Sequence, residues 1–558
     1  MDARIITKMK IFNRVGLYLL ILFLASCQGP VQVSSTSALP SAVSSVPPTS
    51  TPASLVKLWL APYLPDAVVS SIKLPANWKV VPNQDESNTS FSLGNSPVLT
   101  QWIYALVAPF PTLTDDVSAT DLTAFWKTGT SATIHATKLA LTNQVAALLG
   151  AAWGSPAQNL VETLPASELL DAAWATTGTW SIVPFDEVAP KWKVISIDGQ
   201  SPVRKDFSPD QYPLSMNFTF TISDPEIKTQ LSSLDSSAIA AIFPTSNRDA
   251  SKLTTVIVTG TTALVRDTAR LMEQNGMTYP AILIRDILRQ ADILHISNEI
   301  AFSPNCPLPD PNNPLLVFCS RPQYIQLLED IGTDVVDMTG DHFIDSSNQD
   351  ILNTIQMYKD RGWGYYAAGA NIEEARKPLL LDNHGNKIAF EGCNAKPIGY
   401  AGATETQAGT WHCDWSYLDK IIPGIVQSGY LPIMTFSHLE YYQYIAVPAL
   451  ITDFHHAADD GAVIVSGSQA HQPQAMEFYK NSFLHYGLGN LFFDQYHEGF
   501  DTRRAFIDRH VFYDGKYIST ELITIMFINN AQSRLMTKAE RDDLLTTVFE
   551  ASHWTVNP

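Results

Sequence analysis

Three apolar runs in the second half of the chain each break into a loop that carries a histidine among polar neighbours. No other feature of the sequence restricts the fold as much. Val335 and Val336 run into Asp337-Met338-Thr339-Gly340-Asp341-His342-Phe343-Ile344-Asp345. Residues 430–436 run into Ser437-His438-Leu439-Glu440, and residues 462–465 into Ser466-Gly467-Ser468-Gln469-Ala470-His471. Upstream, residues 293–296 lead to Ser297-Asn298-Glu299. Short β-branched runs bounded by turns read as buried parallel strands. Strands that all deliver polar residues at their C-terminal ends describe an open α/β sheet with its site along one edge. A glycine lets the backbone turn sharply at such an end, and Asp341 with His342 then offers a hard oxygen beside a borderline nitrogen, which suits a divalent metal.

Further pieces share this order. They are Val256-Ile257-Val258-Thr259-Gly260-Thr261, Gly332-Thr333-Asp334-Val335-Val336, Ala367-Ala368-Gly369-Ala370-Asn371-Ile372-Glu373-Glu374-Ala375 and Tyr486-Gly487-Leu488-Gly489-Asn490-Leu491-Phe492-Phe493-Asp494. Together, over about residues 254–500, they resemble the CapA family of poly-γ-glutamate capsule biosynthesis proteins. The resemblance implies a layered α/β domain like that of the calcineurin-type metallophosphoesterases. It implies Glu299, Asp341, His342, His438, Glu440 and His471 as metal ligands, with a divalent ion (Mn, Zn or Mg) activating water and His438 or His471 protonating a leaving group. Three positions depart from the family pattern. Thr261 stands where the family has aspartate, and Ser468 and Gln469 stand where it has successive histidines. A neutral hydroxyl or amide replaces such ligands poorly, so at most one tightly bound metal is expected.

The N-terminus reads as a processing signal. Arg4, Lys8, Lys10 and Arg14 precede the apolar run 15–25, which is short for a membrane span and right for a signal segment. The run ends in Leu24-Ala25-Ser26-Cys27, similar to a bacterial lipobox, with Cys27 as the lipidated residue of an exported, membrane-anchored protein. Residues 28–54 form a Ser/Thr/Pro-rich tether; over 31–54 they carry no charge and cannot bury a core. Removing Cys27 leaves Cys306, Cys319, Cys393 and Cys413, an even number in an exported chain. Sequence neighbours make Cys306 with Cys319 and Cys393 with Cys413 the simplest pairing, and two other connectivities remain open. The loop 303–322 reads as a cover closed by a disulfide.

Residues 55–221 change character, holding eight of the twelve tryptophans and alternating short strands with helical runs. The alternation predicts a smaller α/β unit ahead of the layered domain. Tyr104-Ala105-Leu106-Val107-Ala108-Pro109, Gly178-Thr179-Trp180-Ser181-Ile182-Val183-Pro184 and Ile197-Asp198-Gly199 give it a resemblance to periplasmic solute-binding proteins of the phosphate type. Residues 222–252 read as a turn-rich connector, and 253–558 as the CapA-like domain.

A formal net charge of −19 excludes a nucleic-acid binder, which needs a basic footprint. The expected function is that of a lipid-anchored, CapA-like protein in capsule or poly-γ-glutamate-type polymer metabolism, working as a metal-dependent hydrolase with a partly degraded site. Its expected partners are the membrane, through the anchor, and an anionic polymer or the capsule machinery. The alternative is a non-catalytic surface protein that binds a small solute or polymer.

Overall fold

Strand Leu253–Thr262 is buried at every position, and both sheets of the second domain are arranged around it. Its β-branched residues suit a two-sided buried strand. Ile293–Asn298 pairs with it in parallel on one side and Arg504–Tyr513 antiparallel on the other. On that second flank the chain returns as a long hairpin, Arg504–Tyr513 with Lys516–Ile528, and the short strand Asn490–Phe492 then runs parallel to the last residues, Thr261 and Thr262. Beyond Ile293–Asn298 lie Val335–Asp337 and Gly364–Tyr366, both parallel. A second sheet runs Leu379–Asn383, Asn386–Asn394, Leu431–Ser437, Ile464–Ser466, Ser482–His485, Met476–Tyr479.

Period-two alternation packs these sheets into layers. Val256, Val258 and Val335 face the second sheet's Ile388, Phe390 and Ile433. Ile257, Leu294 and Val336 point the other way, toward Met272, Leu328 and Ile355 of helices Arg266–Asn275, Ile325–Ile331 and Asn348–Lys359. On the far side Met434, Phe436 and Val465 meet helices Trp415–Gln427 and Pro448–Asp459. The result is a helix–sheet–sheet–helix sandwich. Each fully buried aliphatic side chain contributes roughly 1.5–3 kcal/mol. The parallel strands of both sheets end at one edge.

The computed structural model describes residues 54–232, 236–312, 317–397 and 402–558. The leader, Cys27 and the tether up to residue 53 lie outside them. Residues 54–558 form one unit. Among the described residues, no helix is long and apolar enough to cross a membrane. The first domain is a mixed sheet in which Thr100–Pro109 and Ser215–Ile222 run side by side at the centre. Part of the expected connector is folded: Asp224 accepts from the amides of Glu226 and Ile227 and caps helix Pro225–Ser232. That helix places Ile227 and Leu231 in the first domain's core.

The two domains share packed surface. Phe110 meets Phe478 and Trp554 edge to face, with ring centroids 5.1 and 5.8 Å apart. Asp115 takes both guanidinium branches of Arg541 at 2.6 and 2.7 Å. The C-terminal segment also crosses over, since Asn557 accepts from Leu113 N and donates to Pro111 O.

Two disulfides close Cys306 to Cys319 and Cys393 to Cys413, the neighbour pairing among the connectivities left open by sequence. Cys393 lies next to the end of the buried strand Asn386–Asn394, and the bridge spans a sequence separation of 20 that begins with the loop carrying Lys396. Replacing Cys413 by serine is expected to cost about 3 kcal/mol through lost loop closure. Denaturant unfolding under non-reducing conditions reads this directly, and a variant as stable as the parent would exclude the bridge from the folded protein.

Candidate metal centre and cleft

At the shared edge of the two sheets lies a cleft of about 590 Å³. Glu299 follows strand Ile293–Asn298 and is held there by its own amide, which donates to Thr262 O at 3.0 Å. Asp341 and His342 open the single turn Asp341–Ile344 after strand Val335–Asp337. Gly340 allows this loop to cross Glu299: a Cβ there would lie 2.7 Å from Glu299 Cα. Donor atoms of Glu299, Asp341 and His342 lie within 4.8 Å of one another.

Electrostatics tie the three together. Burial pushes the Glu299 carboxyl above its usual range, against the pull of His471 and His342. Burial also works against the Asp341 carboxylate, yet Lys396 and His342 outweigh it and hold the group low. For His342 burial favours the neutral ring. The Asp345 hydrogen bond and the charges of Glu299 and Asp341 reverse this and raise it to about 9. Asp345 Oδ2 lies 2.7 Å from His342 Nδ1, which leaves Nε2 aimed at Glu299, 3.9 Å away.

The site passes a chemical test for a cation. Glu299 Oε2 and Asp341 Oδ1 are buried acceptors with no hydrogen-bond partner among the described residues. Buried acceptors in this state cost about 1–3 kcal/mol each unless something satisfies them. Two carboxylate oxygens and an imidazole nitrogen suit Mn²⁺, Zn²⁺ or Mg²⁺.

The remaining expected residues divide. His471 lines the same cleft. Its Nδ1 lies 2.9 Å from Asn490 Oδ1, whose amide nitrogen donates to His471 O and Thr502 O, so Nδ1 carries the proton and Nε2 is the acceptor. Glu440 also lines the cleft but pairs with Lys396. His438 is not brought to it. Met434 and Phe436 face the helix side of their strand, His438 keeps that parity, and its Nε2 lies 3.0 Å from Asp453 Oδ2 on helix Pro448–Asp459.

The three departures join one hydrogen-bonded network around Asp337. Ser468 Oγ donates to buried Asp337 at 2.6 Å, Gln469 Nε2 donates to Ser297 Oγ at 2.6 Å, and Thr261 Oγ1 donates to Ser468 O at 3.3 Å. Asp337 is further satisfied by Thr339 N at 2.8 Å.

Sequence reasoning missed two cations in the cleft. Lys396 Nζ lies 2.7 Å from Asp341 Oδ2 and also reaches Glu440, and the two acids outweigh burial to keep its pKa raised. The available signal was position, since Lys396 follows Asn394, the last residue of another strand ending at this edge. Arg266 stacks on Phe318 at 4.9 Å, has no carboxylate partner among the described residues, and holds φ at +47°. Such a backbone costs of order 1–3 kcal/mol in a residue with a side chain and gathers at functional sites. No sequence pattern announces it.

Two facing sheets flanked by helices, with acid and imidazole donors at the strand ends, define a layered α/β fold with a candidate metal centre at one sheet edge. Residues 255–495 match the family described as bacterial capsule synthesis protein PGA_cap. The capsule biosynthesis protein CapA of Bacillus anthracis is 23% identical over 263 residues, covering 46% of this chain. The match spans 63% of that relative's length. Among solved structures, the NAD nucleotidase of Haemophilus influenzae aligns at 9% identity over 53% of this chain and 56% of its own, with a TM-score of 0.31. An ABC-type phosphate transport receptor from Vibrio cholerae aligns at 12% identity over 28% of this chain and 78% of its own, with a TM-score of 0.22.

Proposed function

We propose that this cleft is a single-metal hydrolytic centre acting on an anionic polymer of the capsule type, or on its precursor. The observation that carries the reading is the pair of orphaned buried acceptors, Glu299 Oε2 and Asp341 Oδ1, set beside His342 Nε2. A divalent ion held by these three residues would supply Lewis-acid polarisation of the scissile group. Arg266 and Lys396 bind the substrate's anionic groups and orient them, since both line the cleft. His471 Nε2, fixed as an acceptor by Asn490, takes a proton from the attacking water and returns it to the leaving group. Asp345 is a positioning residue that sets the His342 tautomer.

Protein dialysed against chelator and then titrated with Mn²⁺, Zn²⁺ or Mg²⁺ is expected to bind about one equivalent. No uptake of any of the three ions would overturn the reading. With an anionic polymer as substrate, Arg266→Ala is expected to raise KM about tenfold or more while leaving metal stoichiometry unchanged, as one charged contact is lost. An unchanged KM would remove Arg266 from substrate binding.

The same proposal places the protein outside the cytoplasm on a lipid anchor at Cys27. The two disulfides support an oxidising compartment. Palmitate should label the parent and not Cys27→Ser, and equal labelling of both would refute the anchor.

A further inference from the structure

The first domain contains a cleft of its own, of about 440 Å³, which the metal centre does not explain. It lies beyond the C-terminal ends of three mutually parallel strands, Lys138–Leu141, Val161–Thr163 and Thr179–Pro184. Open α/β sheets bind ligands in this position.

Two largely buried side chains with polar donors line the cleft. Trp102 and Tyr104 lie two residues apart on strand Thr100–Pro109, so they share a face, and they are 5% and 2% exposed. Among the described residues neither the Trp102 Nε1–H nor the Tyr104 hydroxyl has a hydrogen-bond acceptor, so both donors are open to the cleft, and the charges of Glu187 and Asp186 act on the Tyr104 hydroxyl. A third donor surface adjoins them. Helix Asn143–Trp153 starts at the cleft, Thr142 caps only the Val145 amide, and the Asn143 and Gln144 amides point out of the first turn unpaired.

The charge of the lining runs the other way. It includes Asp66, Asp186 and Glu187 and no lysine, arginine or histidine. Asp66 is engaged by Gln144 Nε2 at 3.0 Å. Asp186 is held in place by Asn247 Nδ2 at 2.8 Å, and Asn247 is itself fixed to Ile103 N. Glu187 has no ion-pair partner among the described residues, and burial together with the Asp186 charge raises its pKa. An oxyanion such as phosphate would meet these carboxylates with no cation to offset them. A ligand with an ammonium at one end and an acceptor at the other satisfies both the free donors and the free acids.

We propose that this cleft binds a small zwitterion of the free amino-acid class. Its carboxylate is taken by the Asn143 and Gln144 amides with the Trp102 and Tyr104 donors, and its ammonium by Asp186 and Glu187. This site is independent of the metal centre.

Titration calorimetry of the full chain with a panel of free amino acids and with inorganic phosphate tests the proposal. At least one neutral or basic amino acid is expected to bind, and phosphate is not. Glu187→Gln alters an exposed side chain and is expected to weaken binding about tenfold or more, the size of one charge-assisted contact. Trp102→Phe keeps an aromatic side chain but removes the N–H, and should weaken the same ligand. Glu299→Gln, in the other domain, should leave this affinity unchanged, which keeps failure here separate from failure of the metal centre. The proposal is overturned if no amino acid binds at millimolar concentration, if phosphate binds in preference, or if the bound amino acid is indifferent to both cleft variants.

Discussion

Glu299→Gln is expected to abolish metal uptake and at the same time leave the metal-free protein at least as stable as the parent. Most buried polar substitutions lose stability, so the combination is diagnostic. Glu299 is 2% exposed, its Oε2 has no partner among the described residues, and its charge is disfavoured by burial. Its amide replacement carries no charge and can present an N–H to Asp341 Oδ1, which is also unpaired. Loss of an outer-sphere partner already costs a metal site 10- to 100-fold in affinity. Loss of one of three ligands should exceed about a hundredfold, with hydrolysis falling at least as far. Metal content by atomic absorption and a thermal unfolding midpoint without divalent ions give the two readings. If the variant still held metal, or unfolded well below the parent when metal-free, Glu299 would be a structural acid and the centre would lie elsewhere.

Much of this centre could be read from the sequence because it depends on local rules. A strand that ends in glycine and an acid must turn at that point, and when several parallel strands do so their turns converge on one edge. This reasoning reached Glu299, Asp341, His342, Glu440 and His471, all of which line one cleft. His438 was legible too, in the opposite sense. Phe436 and His438 share parity, so a strand that buries Phe436 under helix Pro448–Asp459 also turns His438 toward Asp453. Family likeness had put motif position ahead of pleat.

Other features depend on contacts that no local pattern encodes. Lys396 matters because the bridge between Cys393 and Cys413 and the Asn394 bond to Thr339 O bring its loop against Asp341. Arg266 matters because Phe318, about fifty residues away in sequence, supplies the ring it rests on. The close joining of the domains rests on Phe110 meeting Phe478 and Trp554, and on Asn557 pairing with Pro111, at separations of hundreds of residues. Helix Pro225–Ser232 is a different case. Asp224-Pro225-Glu226 is an ordinary N-terminal helix signal, and the surrounding serines drew attention from it.

The double substitution Thr261→Asp with Gln469→His should convert the centre from about one metal to two, with a large loss of stability whenever divalent ions are withheld. In the parent, Ser468, Ser297 and Thr339 N all donate to buried Asp337, and Thr261 joins the network through Ser468 O. A carboxylate at 261 would enter this fully buried set with no cation to balance it. Unpaired buried charge costs about 3–5 kcal/mol. An imidazole at 469 would remove the Gln469 donation to Ser297 and offer a nitrogen ligand in its place. Both losses are offset once a second ion enters. The variant's unfolding midpoint should therefore fall in chelator and recover with Mn²⁺ or Zn²⁺, while the parent's midpoint responds less. Hydrolysis of an aryl phosphate, expected to be slight in the parent, should rise in the metal-loaded variant, since two ions clamp both the attacking and the leaving oxygen. If the parent already bound two equivalents and hydrolysed the aryl phosphate as fast as the variant, Thr261, Ser468 and Gln469 would not be a neutral replacement for a second metal position, and the site would be an ordinary two-metal centre.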